Sequence, residues 1–349
     1  MTIEKELKDI SWQVSEPQYR SDPALSYSTL STYEKLGFNA LDHLFDKKES
    51  PSLLLGCIVD TILTGGKEEF DNLYMVRDIR ISDSGVSICN ALANLPSPYP
   101  RFSDVPEHLV SSVAKSVGFW KDDKWDTRRY KEVLKTGNVA DYYESLINSD
   151  KTVITTDVYD SAVSMVRALR ESPATSKYFA EDDEMSPIRR YYQLKFKVRH
   201  GDVTYRSMAD LITVDYERKI VYPCDLKTSG HFEWDFEDSF LQWNYMLQAR
   251  LYWRNIRATM DNDPYFKYFT LENYRFIVVN KFTLTPLVWE FPLTKTRGTL
   301  IDKDGREYRD PFEIGKELKG YLDLRPKVPN GINAEGMNTI KCLSLKPEV

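Results

Sequence analysis

One stretch constrains the fold more than any other. From Ser207 to Gly230 the chain reads SMADLITVDYERKIVYPCDLKTSG. Two β-rich runs, Met208 to Val214 and Lys219 to Leu226, flank the polar segment Asp215 to Arg218, the pattern of a β-hairpin with a short loop. With Glu217 and Arg218 at the tip, antiparallel pairing sets Ile212 opposite Pro223 and Asp210 opposite Asp225. Opposed residues share a face, and Lys227, two beyond Asp225, joins them. Two carboxylates and an ammonium therefore crowd one end of an otherwise apolar hairpin.

Like charges opposed in a sheet are destabilising unless something positive lies between them. A divalent metal satisfies that need. Carboxylate oxygens suit Mg²⁺ or Mn²⁺, and Mg²⁺ takes one or two protein carboxylates together with water and phosphate oxygens. Lys227 would then hold an attacking water or offset charge on a pentacovalent phosphate, while the metal polarises the phosphodiester. The competing reading is an exposed strand end with solvated charges, the better reading of any Asp-x-Lys taken alone; the spacing across the hairpin is what lifts this one above it.

Ala209-Asp210, fourteen intervening residues and then Asp225-Leu226-Lys227 resemble the PD-(D/E)XK nuclease signature, with Ala in place of the Pro. Asp225-Leu-Lys-Thr-Ser followed by Tyr245-Met-Leu-Gln248-Ala-Arg-Leu-Tyr252 is similar to the RecE-like, exonuclease-VIII-type branch of phages and prophages. The resemblance spans about residues 26 to 291. It implies an α/β fold, a restriction-endonuclease-like mixed central sheet flanked by helices, with an N-terminal helical region and a helical insertion. It implies Asp210, Asp225 and Lys227 as catalytic residues, and Asp210, Asp225 and the Leu226 backbone carbonyl as metal ligands. Gln248-Ala-Arg-Leu-Tyr252 resembles the Q-x-x-x-Y motif, which makes Gln248, Tyr252 and Tyr245 candidates for positioning DNA.

The implied activity is Mg²⁺-dependent exonuclease digestion of duplex DNA ends, 5′ to 3′, in phage-type recombination. A single-strand annealing protein is the implied partner and a ring-like homo-oligomer the implied assembly. An endonuclease of the same superfamily and a catalytically silent DNA-binding scaffold are the alternatives.

A net charge of −6 provides no global basic field, so any DNA contact must come from local patches. With 42 % hydrophobic and 13 % aromatic residues the chain can build a sizeable core. Its four cysteines, at 57, 89, 224 and 342, show no C-x-x-C. Related nucleases with an iron-sulfur cluster need four thiolates, several of them grouped near the C-terminus. Only Cys342 lies there, so no cluster is expected. No apolar signal region or membrane-length segment is present, and the expected location is cytoplasmic.

Along the chain, residues 1 to 25 are polar and proline-containing and read as an arm, residues 26 to 295 as the nuclease domain, and 296 to 349 as a hairpin, a helix and an irregular tail. Ser26-Tyr-Ser28 starts one helix and Pro51 to Leu63 forms a second, apolar nearly all round. Its one charged residue is Asp60, in Gly56-Cys-Ile-Val-Asp60. Relatives carry Gly-x-x-x-His there, so Asp60 is either a metal ligand or an acid satisfied by a neighbouring element.

Residues 78 to 150 read as a variable helical insertion, with Lys121, Lys124, Arg128, Arg129, Lys131 and Lys135 interleaved with Trp120 and Trp125. These either guide a DNA strand or form solvated helices. Asp157 to Leu169 is an amphipathic helix. In the first long strand Tyr192, Leu194, Phe196 and Val198 alternate with Gln193, Lys195, Lys197 and Arg199, and a turn at Gly201-Asp202 brings Gln193 opposite Asp210. Relatives carry a Glu on this strand; Gln193 is its neutral analogue here. A helix from Trp234 to Arg254 is expected to bury Phe240, Trp243, Leu247 and Leu251, with Leu241, Tyr245, Gln248 and Tyr252 on the adjacent stripe. Asp302-Lys-Asp304-Gly305 reads as a hairpin turn.

Overall fold

The computed structural model describes residues 3–324 apart from 43, 46–49, 184 and 303. Cys342 and the C-terminal tail beyond 324 lie outside the described residues.

In chain order, a short helix α1 (Glu16–Ser21) is capped by Ser15. The next, α2 (Tyr27–Leu36), starts at Ser26, whose hydroxyl accepts from the Thr29 N–H. The apolar α3 (Pro51–Thr64) begins with Pro at its first position behind the Ser50 cap, as the fixed φ of proline favours. Then come α4 (Gly66–Leu73) and β1 (Tyr74–Arg77). The insertion contributes α5 (Asp83–Ala93), α6 (Glu107–Ser116), α7 (Arg129–Val133) and α8 (Val139–Ile147). Its two ends are joined by parallel pairing of β1 with β2 (Thr152–Thr155), and its helices close over their own core of Ile88, Leu92, Val110, Ala114, Tyr142 and Tyr143. The amphipathic α9 (Thr156–Glu171) follows.

The central sheet is built from β3 (Ile188–His200), β4 (Val203–Asp215), β5 (Ile220–Ser229), β6 (Thr270–Leu271), β7 (Tyr274–Asn280) and β8 (Leu287–Phe291). Its order is β3-β4-β5-β7-β8, with β6 also beside β5. The β3/β4 and β4/β5 pairs are antiparallel, β5/β7 parallel and β7/β8 antiparallel. The fold is therefore mixed α/β with a central mixed sheet flanked by helices. Two helices, α10 (Phe236–Gln242) and α11 (Tyr245–Asp261), lie between β5 and β7, as a parallel pair requires a crossover. After the sheet, β9 (Leu300–Ile301) and β10 (Glu307–Tyr308) form a hairpin around Asp302, and α12 (Pro311–Leu324) follows. No described helix is long and apolar enough to cross a membrane.

Ile212 faces Pro223 and His200 faces Val203, the registers expected from the turns. Three expectations change. The helix expected over Trp234 to Arg254 is broken at Asn244, which adopts a left-handed conformation (φ 52°) and caps α11 by accepting from the Leu247 N–H. The break resets the helical phase, so Trp243 is 48 % exposed while Phe240, Leu247 and Leu251 stay buried.

The strict alternation of β3 also fails at Gln193, likewise left-handed (φ 53°). Tyr192 packs with the α3 and α9 core, whereas Leu194 and Phe196 join the core around Ile256 and Met260 of α11. Finally, residues 3–25 lie against the sheet. Leu7, Tyr19 and Leu25 are buried, the Trp12 N–H donates to Lys195 O (2.7 Å), and Leu25 bridges Thr204 and Arg206 of β4 through its backbone. Three apolar anchors in a polar segment are enough to hold it down.

Candidate active site

The hairpin of β4 and β5 sets the frame of the site. Asp210 Oδ2 accepts from the Leu226 N–H (2.8 Å), so one carboxylate clasps the backbone between the other two residues of Asp225-Leu226-Lys227. Asp225 is buried. Its Oδ1 accepts from Gln248 Nε2 on α11 (2.6 Å), and its Oδ2 forms an ion pair with Lys227 outside a well-formed hydrogen bond. The Lys227 ammonium also lies 4.9 Å from the Tyr245 ring centroid and 5.9 Å from that of Phe276. These rings fix the ammonium by cation–π attraction.

Asp60 approaches from α3. Its neighbour one turn earlier, Gly56, explains how: a Cβ there would stand 3.3 Å from Thr228 Oγ1, so the helix crosses β5 at close range. Asp60 Oδ2 accepts from Gln193 Nε2 (2.6 Å), and Oδ1 is buried with no hydrogen-bond partner among the described residues. The left-handed turn at Gln193 aims this amide at α3, and such strain is usually retained where the surroundings impose it.

The electrostatics report the crowding directly. Burial, then the charges of Asp225 and Asp60, hold Asp210 well above the usual carboxylate range. Burial likewise raises Asp225, although Lys227, Asp210 and Gln248 pull the other way. Asp60 is pushed up to about 7, first by burial and then by the charge of Asp225. Burial works against the Lys227 charge, but Asp225, Tyr245 and Asp210 outweigh it and raise the ammonium above an ordinary lysine. Lys227 is therefore a firm cation.

The nine sequence-identified positions thus converge, with two changes of role. Gln248 is 4 % exposed and spends its amide on Asp225, so it positions a carboxylate where contact with DNA was expected. Tyr252 is buried in the core cluster that includes Leu25 and packs edge-on against Tyr274. In the insertion, Arg129 is 1 % exposed and ties the Trp120 and Asp122 carbonyls to Asp126. It serves structure, and Lys115, Lys124 and Lys135 are paired with acids.

No known protein-family profile matches the chain. No curated protein matches it significantly. Among solved structures, it is similar to a candidate exonuclease from Eubacterium rectale, with 12 % identity, a TM-score of 0.43, and coverage of 89 % of this chain and 85 % of that one. A likeness of that size leaves the site to be read from its own geometry.

Carboxylate oxygens are the donor type that a hard divalent cation accepts. Asp60 Oδ1 is unspent, Asp225 Oδ2 is held by its ion pair with Lys227 alone, and burial raises all three carboxylates, with carboxylate repulsion adding to it at Asp60 and Asp210. Among the described residues no closed cage of three or more ligating side chains has formed. Mg²⁺ needs none, because it keeps several waters. Two residues near the site escaped the sequence reading, Tyr19 and Arg206. The available signal was a lone arginine inside the β4 pattern, four residues before Asp210.

Proposed function

We propose that this chain is a metal-dependent deoxyribonuclease acting on duplex DNA ends. The observation that carries the reading is the meeting of Asp210, Asp225 and Asp60 beside the Lys227 ammonium, an excess of negative charge that the protein alone leaves unbalanced. Asp210, Asp225, the Leu226 carbonyl and Asp60 would hold Mg²⁺, with Mn²⁺ as a substitute. When bound, the metal polarises the phosphodiester and acidifies a water.

The side chains divide the remaining work. Lys227, protonated and pinned by Asp225 and two aromatic rings, is placed to offset negative charge on the phosphate as it becomes pentacovalent. Because it stays protonated it has no lone pair with which to take a proton, so it acts by charge and hydrogen bonding. Gln248 holds Asp225 in one rotamer and Gln193 does the same for Asp60, which preserves the geometry that proximity catalysis needs. The 5′-to-3′ polarity, the recombination role, the annealing-protein partner and the homo-oligomer follow from the RecE-like resemblance and belong to the same proposal, as does the cytoplasmic setting expected from the sequence.

Linear and closed-circular duplex DNA, incubated with Mg²⁺ and with EDTA, test it. Degradation of the linear form alone, abolished by EDTA, is the expected result. Cutting of the circle would replace the exonuclease with an endonuclease. Binding without cleavage under any divalent metal would leave a silent scaffold, the reading that Gln193 in place of an acid most favours.

A further inference from the structure

The break between α10 and α11 leaves an aromatic ring in solvent beside the site. Trp243, the residue before the left-handed Asn244, is 48 % exposed, and its one ring contact among the described residues is with a cation: Lys35 Nζ on α2 lies 5.5 Å from the ring centroid. The break is held from outside. Tyr27 Oη, also on α2, donates to the Trp243 carbonyl (2.5 Å), one of those that an interrupted helix leaves open.

The same tyrosine reaches the catalytic group. Burial raises the Tyr27 phenol, and of the charges acting on it the Lys227 ammonium is the largest, ahead of Tyr245 and Asp225. Tyr245, whose ring lies against Lys227, follows Trp243 by two residues, which puts the two Cα atoms at most about 7 Å apart. The Lys227 side chain keeps 19 % of its surface open, so a substrate can reach it. On α2, Tyr27, Ser31 and Lys35 recur at i, i+4 and i+8 and share one face, about 12 Å from end to end. That face runs from the phenol beside Lys227 to the ammonium over Trp243. Lys35 is exposed and has no acidic partner among the described residues; the adjacent Glu34 is paired with Arg309 instead.

We propose that Trp243 and Lys35 form a subsite for an unpaired nucleotide of the DNA strand, within a few nucleotides of the scissile phosphate: the indole stacks on the base and the ammonium takes the phosphate. Every base has a π-face, and it is open to an aromatic side chain where the strand is single. An acidic protein must concentrate its DNA affinity in local cations such as Lys35. The ligand rests on the nuclease reading, and the test separates the two.

Binding of fluorescein-labelled duplexes is measured by anisotropy in EDTA with the full chain, comparing a blunt duplex with ones that carry a short single-stranded tail at the 5′ or the 3′ end. The wild type should bind one of the tailed duplexes more tightly than the blunt one. Trp243→Ala should weaken that binding about 5- to 100-fold, the loss of one base stack, and leave blunt binding nearly unchanged. The Tyr27 bond is to the Trp243 backbone and survives the change, and Trp243→Phe should keep most of the affinity. Lys35→Ala should lower the slope of log K against log salt by about 0.7, as loss of one single-strand phosphate contact does. The control is Tyr268→Ala, which removes another exposed ring with its own lysine, Lys267 Nζ at 4.9 Å. Tyr268 lies just before β6, whose pairing with Ile220 is seven residues, about 23 Å, along β5 from Lys227, so its loss should change nothing. Full tailed-duplex affinity in Trp243→Ala, or a wild type that does not distinguish tailed from blunt ends, overturns the subsite even if the enzyme cleaves DNA. The expected losses with no cleavage under any divalent metal keep the subsite and overturn the nuclease reading alone.

Discussion

Replacing Asp60 with Asn should stabilise the metal-free protein, because the native carboxylate is held there against its own charge. Asn keeps a carbonyl for Gln193 Nε2 and converts the unpartnered Oδ1 into a donor facing the acidic centre. Asp60 is raised from 3.8 to about 7, by burial first and by Asp225 second. The folded group thus retains a proton that the unfolded chain releases. Its adverse contribution is absent below the unfolded pKa, grows as pH rises between about 4 and 7, and is constant above that window.

At 1.36 kcal/mol per unit the full effect is about 4 kcal/mol. Partial solvent access to Asp60 screens part of it and leaves roughly 2 kcal/mol. Urea unfolding in EDTA near pH 8 should therefore show the Asn variant more stable by that amount, with the gap closing as pH approaches about 4. Mg²⁺ should raise the wild-type midpoint and move the variant little, since a ligand stabilises only the state that binds it. A less stable Asn variant near pH 8 would refute the reasoning, because it would mean that the Asp60 charge is compensated by the protein itself.

Lys227→Ala should abolish cleavage and, because it strips buried Asp225 of its counter-ion until that group takes up a proton, should also lower the urea midpoint; retained activity would remove the role assigned to the ammonium. Gln248→Leu leaves Asp225 Oδ1 without its donor and should cost about 1–3 kcal/mol in urea unfolding. It should also lower kcat more than it raises KM, and an unchanged kcat would exclude a positioning role. Gly315→Ala would place a Cβ 2.2 Å from Tyr205 Oη, and Tyr205 is fully buried. Overpacking of this kind should cost about 1–3 kcal/mol and lower the urea midpoint. A gain of about 1 kcal/mol, as for an unconstrained helical glycine, would contradict the packing.

The parts of the fold legible in the sequence are those governed by short-range periodicity. Period-two runs and their turns identified the β3-β4-β5 meander and its register, so Asp210, Asp225 and Lys227 could be brought together on spacing alone. The apolar run behind Ser50-Pro51 placed α3 within a residue of its observed end, with Asp60 as its one charge. What was missed turns on single backbone conformations. Asn244 and Gln193 are polar residues in sequence contexts that read as continuous helix and strand; asparagine's tolerance of positive φ and its preference for helix N-caps were the local signal at 244, and nothing local marks the positive φ of Gln193. One broke a helix and exposed Trp243; the other switched β3 between two cores.

By itself, then, the sequence determined the elements, the hairpin register and the acidic character of the site, because side-chain period and turn chemistry act over a few residues. Only the tertiary structure decided how far the site extends. Gln248 turned inward to Asp225, Tyr252 was buried, and the N-terminal segment lay down on β3 and β4, bringing the Tyr19 carbonyl to Arg206 across 187 residues of chain. Those outcomes depend on which buried polar atoms find partners, and a partner distant in sequence leaves no periodic trace.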